Sequence, residues 1–594
     1  MTPNSAIGSG PRELPSRQRM DRMSDPGAPS HLARVGITAM LVALCVLLAA
    51  LMCWPASLHP GTVSLDQATP GHLTFAASMS RWGIFAPNRM IAYPEGQLMA
   101  PLALPVQILT LALGHLVPTI AAWNLSVVTL VALQGLAFVA LGAAWGWTSW
   151  QRLAALIAAE TCPLALAYVC NGQVEQIGLA PLALITWALW RFGWIRLLAA
   201  GFGLALALLS SPYQAIIAGP LVLVLAARHG LRRLVAAAGM VLVCALAAQW
   251  VLQAEQPRLQ PSAGQLEGEA AWRSVGERDK TPPVGLADAM GGLYRVRVAN
   301  TAALVDLIVP RVGGVLGHRP GDYVGPGERV HGLLRPLRSV PLTRASPTEL
   351  PVAPTYLGAL TLLAGVLGLW RARGCTGHKL LGLWAALCFL LALGPRLSVY
   401  AGHPTGLLLP WALLEQIQSL ALASSTVRFL PGVAFACVLG IAWLVRTWRA
   451  WQVGAFAALL AATNLLFAPA QWPRTSVDLD AGDLAALIPP GPVAMWPGVG
   501  EFPTEENLWL AVALDRPVAV FNPRRPTETG GVQAAEEWLA EARSAGVRVL
   551  LERLPDAWRL KMRIATPPPL PPPARALGDV QGYRAWLLDA GGQD

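Results

Sequence analysis

The sequence predicts a mainly α, polytopic membrane protein with a small α/β domain at its C-terminus. Three observations predict this fold. The composition is 54% hydrophobic and only 13% charged, and the mean hydropathy is +0.48, values outside the range of soluble proteins of this length. Long apolar runs alternate with short arginine-bearing connections as far as Pro469. Beyond that residue, short apolar runs around one amphipathic stretch, Val532–Ala545, indicate strands and a helix.

The apolar runs predict the spans. A run of about 18 apolar residues is long enough to cross a bilayer, and shorter runs are accepted here because charges bracket them. We predict about 11 spans on this basis. They are Val35–Trp54, Ile120–Ala143, Leu153–Tyr168, Gly178–Trp190, Leu197–Pro212, Tyr213–Ala227, Leu234–Val251, Val352–Trp370, Leu380–Leu393, Phe429–Val445 and Trp451–Pro469.

The arginines predict the orientation. The net charge of +10 is carried almost entirely by arginine, and these residues punctuate the spans instead of forming the continuous patch that binds nucleic acid. Arginine clusters fall before the first span and in every second short connection, so the positive-inside rule places the N-terminus in the cytoplasm. The C-terminal tail is then outside. If the segment Leu98–Val117 crossed the membrane, every later arginine cluster would move to the outer face. We therefore predict that this segment is re-entrant or interfacial.

These assignments divide the chain into three predicted parts. Residues 1–34 are expected to form a disordered cytoplasmic tail, because they are polar and rich in Pro, Ser and Arg. Residues 35–470 form the transmembrane domain, with long outer loops at 55–97 and 253–351. Residues 471–594 form the small extracytoplasmic α/β domain. None of the eight cysteines lies in the outer loops and none forms a CxxC pair, so neither a disulfide framework nor a thiolate metal site is predicted.

Several short sequence phrases resemble the GT-C superfamily, the bacterial membrane glycosyltransferases that use polyprenyl-phosphate sugars. In chain order they are Asp66 in the first outer loop with Tyr93-Pro94-Glu95-Gly96, then Ala122-Trp123-Asn124, Asn171-Gly172-Gln173-Val174-Glu175, Leu393-Gly394-Pro395, Leu409-Pro410-Trp411, Val427-Arg428-Phe429, Gly491-Pro492-Val493 and Asp515-Arg516-Pro517.

The resemblance implies an enzyme of the bacterial cytoplasmic (inner) membrane with an outward-facing active site. Its partners would be the lipid bilayer and a polyprenyl-phosphate sugar donor, with no nucleotide bound. Asp66 matches the first-loop acid of the family. Many members carry a second acid close to the first, whereas here Gln67 follows Asp66 and the next acid in the loop is Glu95. No cofactor is therefore predicted, and the sequence does not support a divalent metal. Glu95 is a candidate substrate-binding residue.

The chemistry of sugar transfer suggests roles for individual residues. A carboxylate must accept the proton of the acceptor, and Asp66 is the candidate; a solvated loop acid or a helix cap is the alternative. A cation must hold the phosphate, and Arg428 at the outer edge of a span is the candidate, with simple interfacial snorkelling as the alternative. Arg81 in the first loop is a weaker candidate for the same task.

Three further polar residues lie in or between predicted spans. Glu160 lies near the middle of an apolar run, where a carboxylate is costly and faces either a pathway or a packing partner. Gln173 and Glu175 lie at the outer mouth between two spans, where they could hydrogen-bond a sugar or serve as ordinary loop residues. We predict a glycosyltransferase that modifies an envelope glycan, lipid or protein. The alternative is a transporter, or a lipid-handling or scaffold protein, without transferase activity.

Overall fold

The structure is a computed structural model that describes residues 31–64, 69–83, 88–90, 103–191, 193–259, 302–308, 338–341, 355–374, 376–400, 403–414, 426–467, 476–496, 505–519, 539–540, 542–553, 574–580 and 583–588. Its helices confirm the mainly α fold. They are α1 (His31–Met52), α2 (Thr69–Trp82), α3 (Leu104–Gly114), α4 (Thr119–Ala144), α5 (Ser149–Glu160), α6 (Pro163–Cys170), α7 (Leu179–Trp190), α8 (Trp194–Ser210), α9 (Pro212–Ala227), α10 (Leu231–Leu259), α11 (Ala359–Arg371), α12 (Thr376–Ala392), α13 (Leu430–Leu444), α14 (Ala450–Leu466), α15 (Gly482–Leu487) and α16 (Glu505–Leu514).

Every predicted span overlaps at least one helix, although the span predicted from Val352 becomes helical only at Ala359. The span predicted at Leu153–Tyr168 is formed by α5 and α6 together, because Pro163 interrupts the helix between them. Four helical segments of the described chain meet both the length and the composition of a membrane span: Val35–Met52, Thr119–Ala144, Ser149–Cys170 and Thr426–Thr447. The third and fourth are 89% and 83% buried and the first only 22%, so α5, α6 and α13 form the centre of the bundle and α1 lies at its edge.

The segment α3 does not span. The residue before it, Ala103, donates its backbone N–H to the carbonyl of Ser210 at the end of α8, 2.9 Å away. The other end of α3 leads directly into α4. Both ends of α3 are therefore close to bundle ends that the orientation assigns to the outer face, in agreement with the predicted re-entrant or interfacial segment.

The opposite end of the bundle contains an aromatic cluster. Trp145, Trp190 and Trp443, from the ends of α4, α7 and α13, meet His378 at the start of α12, with ring centroids 4.0 to 6.1 Å apart. The guanidinium of Arg228 lies 4.3 Å from the centre of the Trp190 ring. All these helix ends are predicted to be cytoplasmic. The structure places them at the same end of the bundle, as the alternation of arginine clusters along the chain requires. Which side faces the cytoplasm stays a prediction.

Helices α11 and α13 pack closely against each other, and glycines lie where their backbones meet. A Cβ atom built on Gly368 would overlap the backbone carbonyl of Gly440, and one built on Gly440 would overlap that of Gly365. A Cβ on Gly365 would lie 2.6 Å from the Cα of Cys437. Small residues allow membrane helices to pack backbone against backbone in this way, since the lipid itself provides no hydrophobic force between the helices.

The described part of the tail contains the predicted α/β unit. Its strands are β6 (Val493–Trp496), β7 (Val518–Ala519), β8 (Val549–Arg553), β9 (Ala574–Val580) and β10 (Tyr583–Leu588). They form one sheet in the order β7-β6-β8-β10-β9, in which β6 is parallel to β7 and β8 and the remaining pairs are antiparallel. Most of the amphipathic stretch Val532–Ala545 and the proline run that precedes β9 lie outside the described residues.

The outer loops contribute to the same region as the tail. Strand β5 (Ser476–Asp480) pairs antiparallel with β1 (Val63–Ser64) of the first loop and parallel with β2 (Arg338–Pro341) of the second. A separate hairpin, β3 (Arg396–Tyr400) and β4 (His403–Leu408), lies in the connection between α12 and α13. The domain bounds stay a prediction, and the strand pairing adds that the tail is attached to both outer loops.

Helix α2 and Met90, which follows it in the chain, connect the first loop to the tail. Arg81 forms an ion pair with Asp515, 2.6 Å from Nη2 to Oδ2, and donates to the Asp515 carbonyl at 2.8 Å. Met90 is fully buried in the core of the tail, and its carbonyl accepts the backbone N–H of Val518. The Asp515 side chain is 71% exposed, so the ion pair is worth at most about 1 kcal/mol. Burial of Met90 therefore dominates the attachment.

We expect Met90→Ala to loosen the tail far more than Arg81→Gln. Truncating a buried methionine costs about 2 to 5 kcal/mol, whereas an exposed ion pair contributes less than about 1 kcal/mol. Hydrogen exchange of the Val518 amide, measured in detergent micelles, reports the attachment directly. Arg584→Gln is the matched control, because its ion pair with Asp579 is exposed and lies within the tail. Equal effects of the Met90 and Arg81 variants would contradict this ranking.

Candidate functional site

Buried polar side chains converge at the end of the bundle that is predicted to face outward, around the turn between α6 and α7. Helix α6 ends at Cys170, and Gly172 follows with a φ of 69°, a left-handed conformation that favours glycine after a helix. The chain then forms a 3₁₀ turn, Val174–Gln176, before α7 begins. This turn carries Glu175 into the protein interior, where only 6% of the residue is exposed.

Three elements hold His72 against Glu175. His72 Nε2 lies 3.5 Å from Glu175 Oε2, an ion-pair distance at the outer limit of a hydrogen bond. On the other side of the ring, the side-chain amide of Gln107 donates to Nδ1 at 3.2 Å and also lies 3.3 Å from the His72 carbonyl. The imidazole stacks on Trp123, with centroids 4.9 Å apart and planes inclined by 20°. With Nδ1 accepting, the neutral ring carries its proton on Nε2 and points it at Glu175.

Arg428 supplies the positive charge of the site. It lies in the 3₁₀ turn Thr426–Phe429 that precedes α13, half-buried, with its guanidinium carbon 5.0 Å from the centre of the Tyr213 ring. It interacts electrostatically with Glu175 and with the phenol of Tyr168. The Tyr168 hydroxyl is buried and has no hydrogen-bond partner among the described residues. Arginine is always charged, so the site combines one permanent cation with one carboxylate.

A second layer of side chains fixes the turn from behind. Gln176 donates to the Ser211 hydroxyl at 2.8 Å, and Gln214 donates to the Gln176 carbonyl at 3.0 Å. Gly178 is required here, because a Cβ atom at this position would lie 2.5 Å from the side-chain carbonyl carbon of Gln214. The turn that carries Glu175 is thus anchored to the junction of α8 and α9.

Glu175 lies in the connection between α6 and α7, outside both helices, and its charge is set by its neighbours. Burial raises the pKa of a carboxyl, but the neighbouring imidazole of His72 and the guanidinium of Arg428 hold the pKa of Glu175 below its ordinary value. The carboxylate is therefore ionised at neutral pH.

The other predicted residues that the structure describes have different surroundings. Glu160 is 1% exposed in the middle of the bundle, and its Oε1 accepts the backbone N–H of Gly135 at 3.0 Å. Arg81 pairs with the tail, and the side chain of Gln173 is half-buried at the turn. Asp66 and Glu95 lie outside the described residues. The roles assigned to all of these residues stay predictions.

Comparison with solved structures gives two similar proteins. Arabinofuranosyltransferase AftD from Mycobacteria is 15% identical with a TM-score of 0.45 over 88% of this chain, which spans 35% of the length of AftD. ArnT from Cupriavidus metallidurans, solved bound to undecaprenyl phosphate, is 14% identical with a TM-score of 0.37 over 95% of this chain and 100% of ArnT. No family model and no curated protein matches the chain.

Sequence reasoning brought Glu175 and Arg428 forward and missed the residues that join them. No motif in the sequence marks His72, and Tyr168, Tyr213 and Gln107 lie in predicted apolar segments. These four come from α2, α6, α9 and α3, and no spacing in the chain relates them. In the described parts of the chain, no group of three or more His, Cys, Asp or Glu side chains could hold a metal ion.

Proposed function

We propose that this protein is a membrane glycosyltransferase that moves a sugar from a polyprenyl-phosphate donor to an envelope glycan, lipid or protein on the outer face. One observation carries the proposal. The half-buried Arg428, whose guanidinium carbon lies 5.0 Å from the centre of the Tyr213 ring, and the buried hydroxyl of Tyr168, which has no hydrogen-bond partner among the described residues, both lie at the predicted outer end of the helical bundle. A phosphate attached to a membrane lipid needs a cation and hydrogen-bond donors at this depth.

The reaction assigns a task to each group. The acceptor hydroxyl oxygen forms a bond to the anomeric carbon of the sugar, and the bond from that carbon to the phosphate oxygen breaks. The hydroxyl proton passes to Asp66, the general base. The departing lipid phosphate gains one negative charge, which Arg428 and the Tyr168 hydroxyl stabilise. In the sequence, Asp66 lies between β1, which pairs with the tail, and α2, which carries His72 to the site.

Deleting the gene and complementing it tests this proposal. We expect the mass spectrum of envelope glycans and lipids to lose a sugar-sized increment on deletion. Wild-type protein should restore it, and Asp66→Asn should lower its rate of restoration by a factor of about 10² to 10⁴, the usual contribution of a general base. Asp579→Asn is the matched control, an exposed carboxylate of the tail paired with Arg584, and should restore the increment fully.

Other outcomes separate the alternatives. Full restoration by Asp66→Asn would remove this residue as the base while leaving the transferase in place. An unchanged envelope on deletion, under several growth conditions, would contradict the transferase and favour the transporter or scaffold. Glu160 does not decide between the alternatives, because its Oε1 accepts a backbone N–H within the helix bundle while its Oε2 is buried with no hydrogen-bond partner among the described residues.

A further inference from the structure

The aromatic cluster of Trp145, Trp190, Trp443 and His378 lies at the end of the bundle that is predicted to be cytoplasmic, opposite the candidate functional site. Two of its ring nitrogens, Trp145 Nε1 and His378 Nδ1, are buried and have no hydrogen-bond partner among the described residues. An indole nitrogen can only donate a hydrogen bond, and a buried donor without an acceptor is unfavourable. The cluster therefore holds a donor that awaits an acceptor from outside the described part of the chain.

The guanidinium of Arg228 borders these donors. Its carbon lies 4.3 Å from the centre of the Trp190 ring, and that ring lies 4.3 Å from Trp145 and 5.3 Å from His378, measured between centroids. Gly377 allows the guanidinium to pack on the first turn of α12, since a Cβ atom built there would lie 2.7 Å from Arg228 Nη1. A helix N-terminus carries a partial positive charge, so this contact joins two centres of positive charge.

Further cations surround the cluster. Arg446 follows α13, three residues after Trp443, whose ring centroid is 4.0 Å from that of His378, and both Arg446 and Arg228 interact electrostatically with this histidine. Lys379 is exposed next to it. Five arginines and neither Asp nor Glu occur in the interhelical connections at this end, which are 145–148, 191–193, 228–230, 372–375 and 445–449. An anion would thus meet a positive field that these connections do not neutralise.

We propose that this cluster binds the phosphate of an anionic phospholipid. The phosphate oxygens accept hydrogen bonds from Trp145 Nε1 and from the planar guanidinium of Arg228, which matches two oxygens of one phosphate. His378 donates from Nδ1 in the tautomer that carries its proton there. The inference does not rest on the proposed function, because Arg428 lies at the other end of the bundle.

The surroundings of the cluster favour a lipid over a soluble phosphate. Tryptophan side chains gather where a helix bundle crosses the headgroup level of a membrane, which is also the depth of lipid phosphates. Helix α12 exposes an apolar stripe of Leu383, Leu387 and Leu390 that begins one turn after Lys379. Acyl chains can lie along this stripe while the headgroup stays at the cluster.

The charges favour an anionic headgroup over a zwitterionic one. The ammonium group of phosphatidylethanolamine would lie close to Arg228 and Arg446, and the interhelical connections at this end provide no carboxylate to receive it. Phosphatidylglycerol carries the same phosphate without an ammonium group. Anionic lipids also give the cytoplasmic leaflet its negative surface potential, which attracts arginine and lysine near the membrane surface.

Native mass spectrometry of the full-length protein, released from detergent micelles, tests the inference. Phosphatidylglycerol and phosphatidylethanolamine are titrated separately in about 0.3 M ammonium acetate, which screens interactions at exposed surfaces. We expect one phosphatidylglycerol to bind about tenfold or more tightly than phosphatidylethanolamine. Competition with glycerol 3-phosphate, a headgroup phosphate without acyl chains, distinguishes recognition of the lipid from recognition of the phosphate alone.

Two variants and one control assign the site. Arg228→Gln should weaken binding of phosphatidylglycerol about ten- to a hundredfold, because a charged hydrogen bond is lost. Trp145→Phe keeps an aromatic ring and removes the N–H group, and should weaken binding about two- to tenfold. Arg196→Gln is the matched control, since this guanidinium also lies over a tryptophan, 5.6 Å from the Trp187 ring, but outside the cluster. It should change the affinity less than about twofold.

Each outcome decides for or against the site. Equal losses in Arg228→Gln and Arg196→Gln would mean a general attraction to the basic face and would overturn the inference. So would equal affinities for the two phospholipids, or displacement by an equimolar amount of glycerol 3-phosphate. If Arg228→Gln unfolds early without lipid, Trp145→Phe decides alone, and unchanged binding by it would count against the site. Loss of phosphatidylglycerol in Arg428→Gln would place the lipid at the outer end instead.

Discussion

Replacing Arg428 with glutamine is expected to destabilise the protein by about 1 to 2 kcal/mol and to weaken binding of polyprenyl phosphate at the same time. The loss of stability follows because the buried Glu175 loses a favourable interaction with a positive charge of the site. The effect is smaller than that of breaking a buried ion pair, because among the described residues it is His72 whose side chain lies within ion-pair distance of Glu175. Thermal unfolding in detergent micelles measures this loss.

The double variant separates folding from function. Arg428→Gln combined with Glu175→Gln removes both charges, so the midpoint of thermal unfolding should return to near the wild-type value. Binding of undecaprenyl phosphate should stay weakened, by the roughly 10- to 150-fold that a charged hydrogen bond of about 1.5 to 3 kcal/mol represents. Restored lipid binding in the double variant would show that Arg428 only balances Glu175 and does not hold the phosphate.

The second large effect is expected at the α11–α13 contact. Gly368→Ala adds a methyl group that overlaps the backbone carbonyl of Gly440, and a helix backbone cannot rotate away as a flexible side chain can. The helices must separate, in a bundle whose centre is α13. Overpacking of this kind costs about 1 to 3 kcal/mol and occasionally more, and we expect the upper part of that range.

The chain offers a matched control for this change. Gly382, within α12, has nothing within 4 Å of the position of its Cβ atom. Gly382→Ala should therefore be neutral, or stabilising by up to about 1 kcal/mol, because alanine is the better helix former. Monodispersity and the midpoint of thermal unfolding in detergent should fall for Gly368→Ala alone. Equal behaviour of the two variants would contradict the close packing of α11 and α13.

The sequence predicted the spans well because the bilayer imposes a strong constraint. Each apolar run must satisfy its own backbone hydrogen bonds, so the eleven predicted runs correspond to helices in the structure. It also predicted that Leu98–Val117 does not cross, since the arginine alternation allowed only that solution. The strands of the tail were recognisable from their short apolar runs, whereas their pairing with β1 and β2 of the outer loops was not, because pairing between distant segments leaves no periodic signal.

The candidate site, too, was only partly predictable from the sequence. The sequence by itself determined the membrane class, the helices and the position of Glu175 and Arg428 at predicted span ends, because hydropathy and charge act locally along the chain. Only the tertiary structure decided that His72 lies between Glu175 and Gln107. It also decided that the Glu160 carboxylate accepts a hydrogen bond from a backbone amide within the helix bundle. The physical reason is that burial and electrostatic coupling depend on distances in space, which helix packing sets after the sequence has chosen the helices.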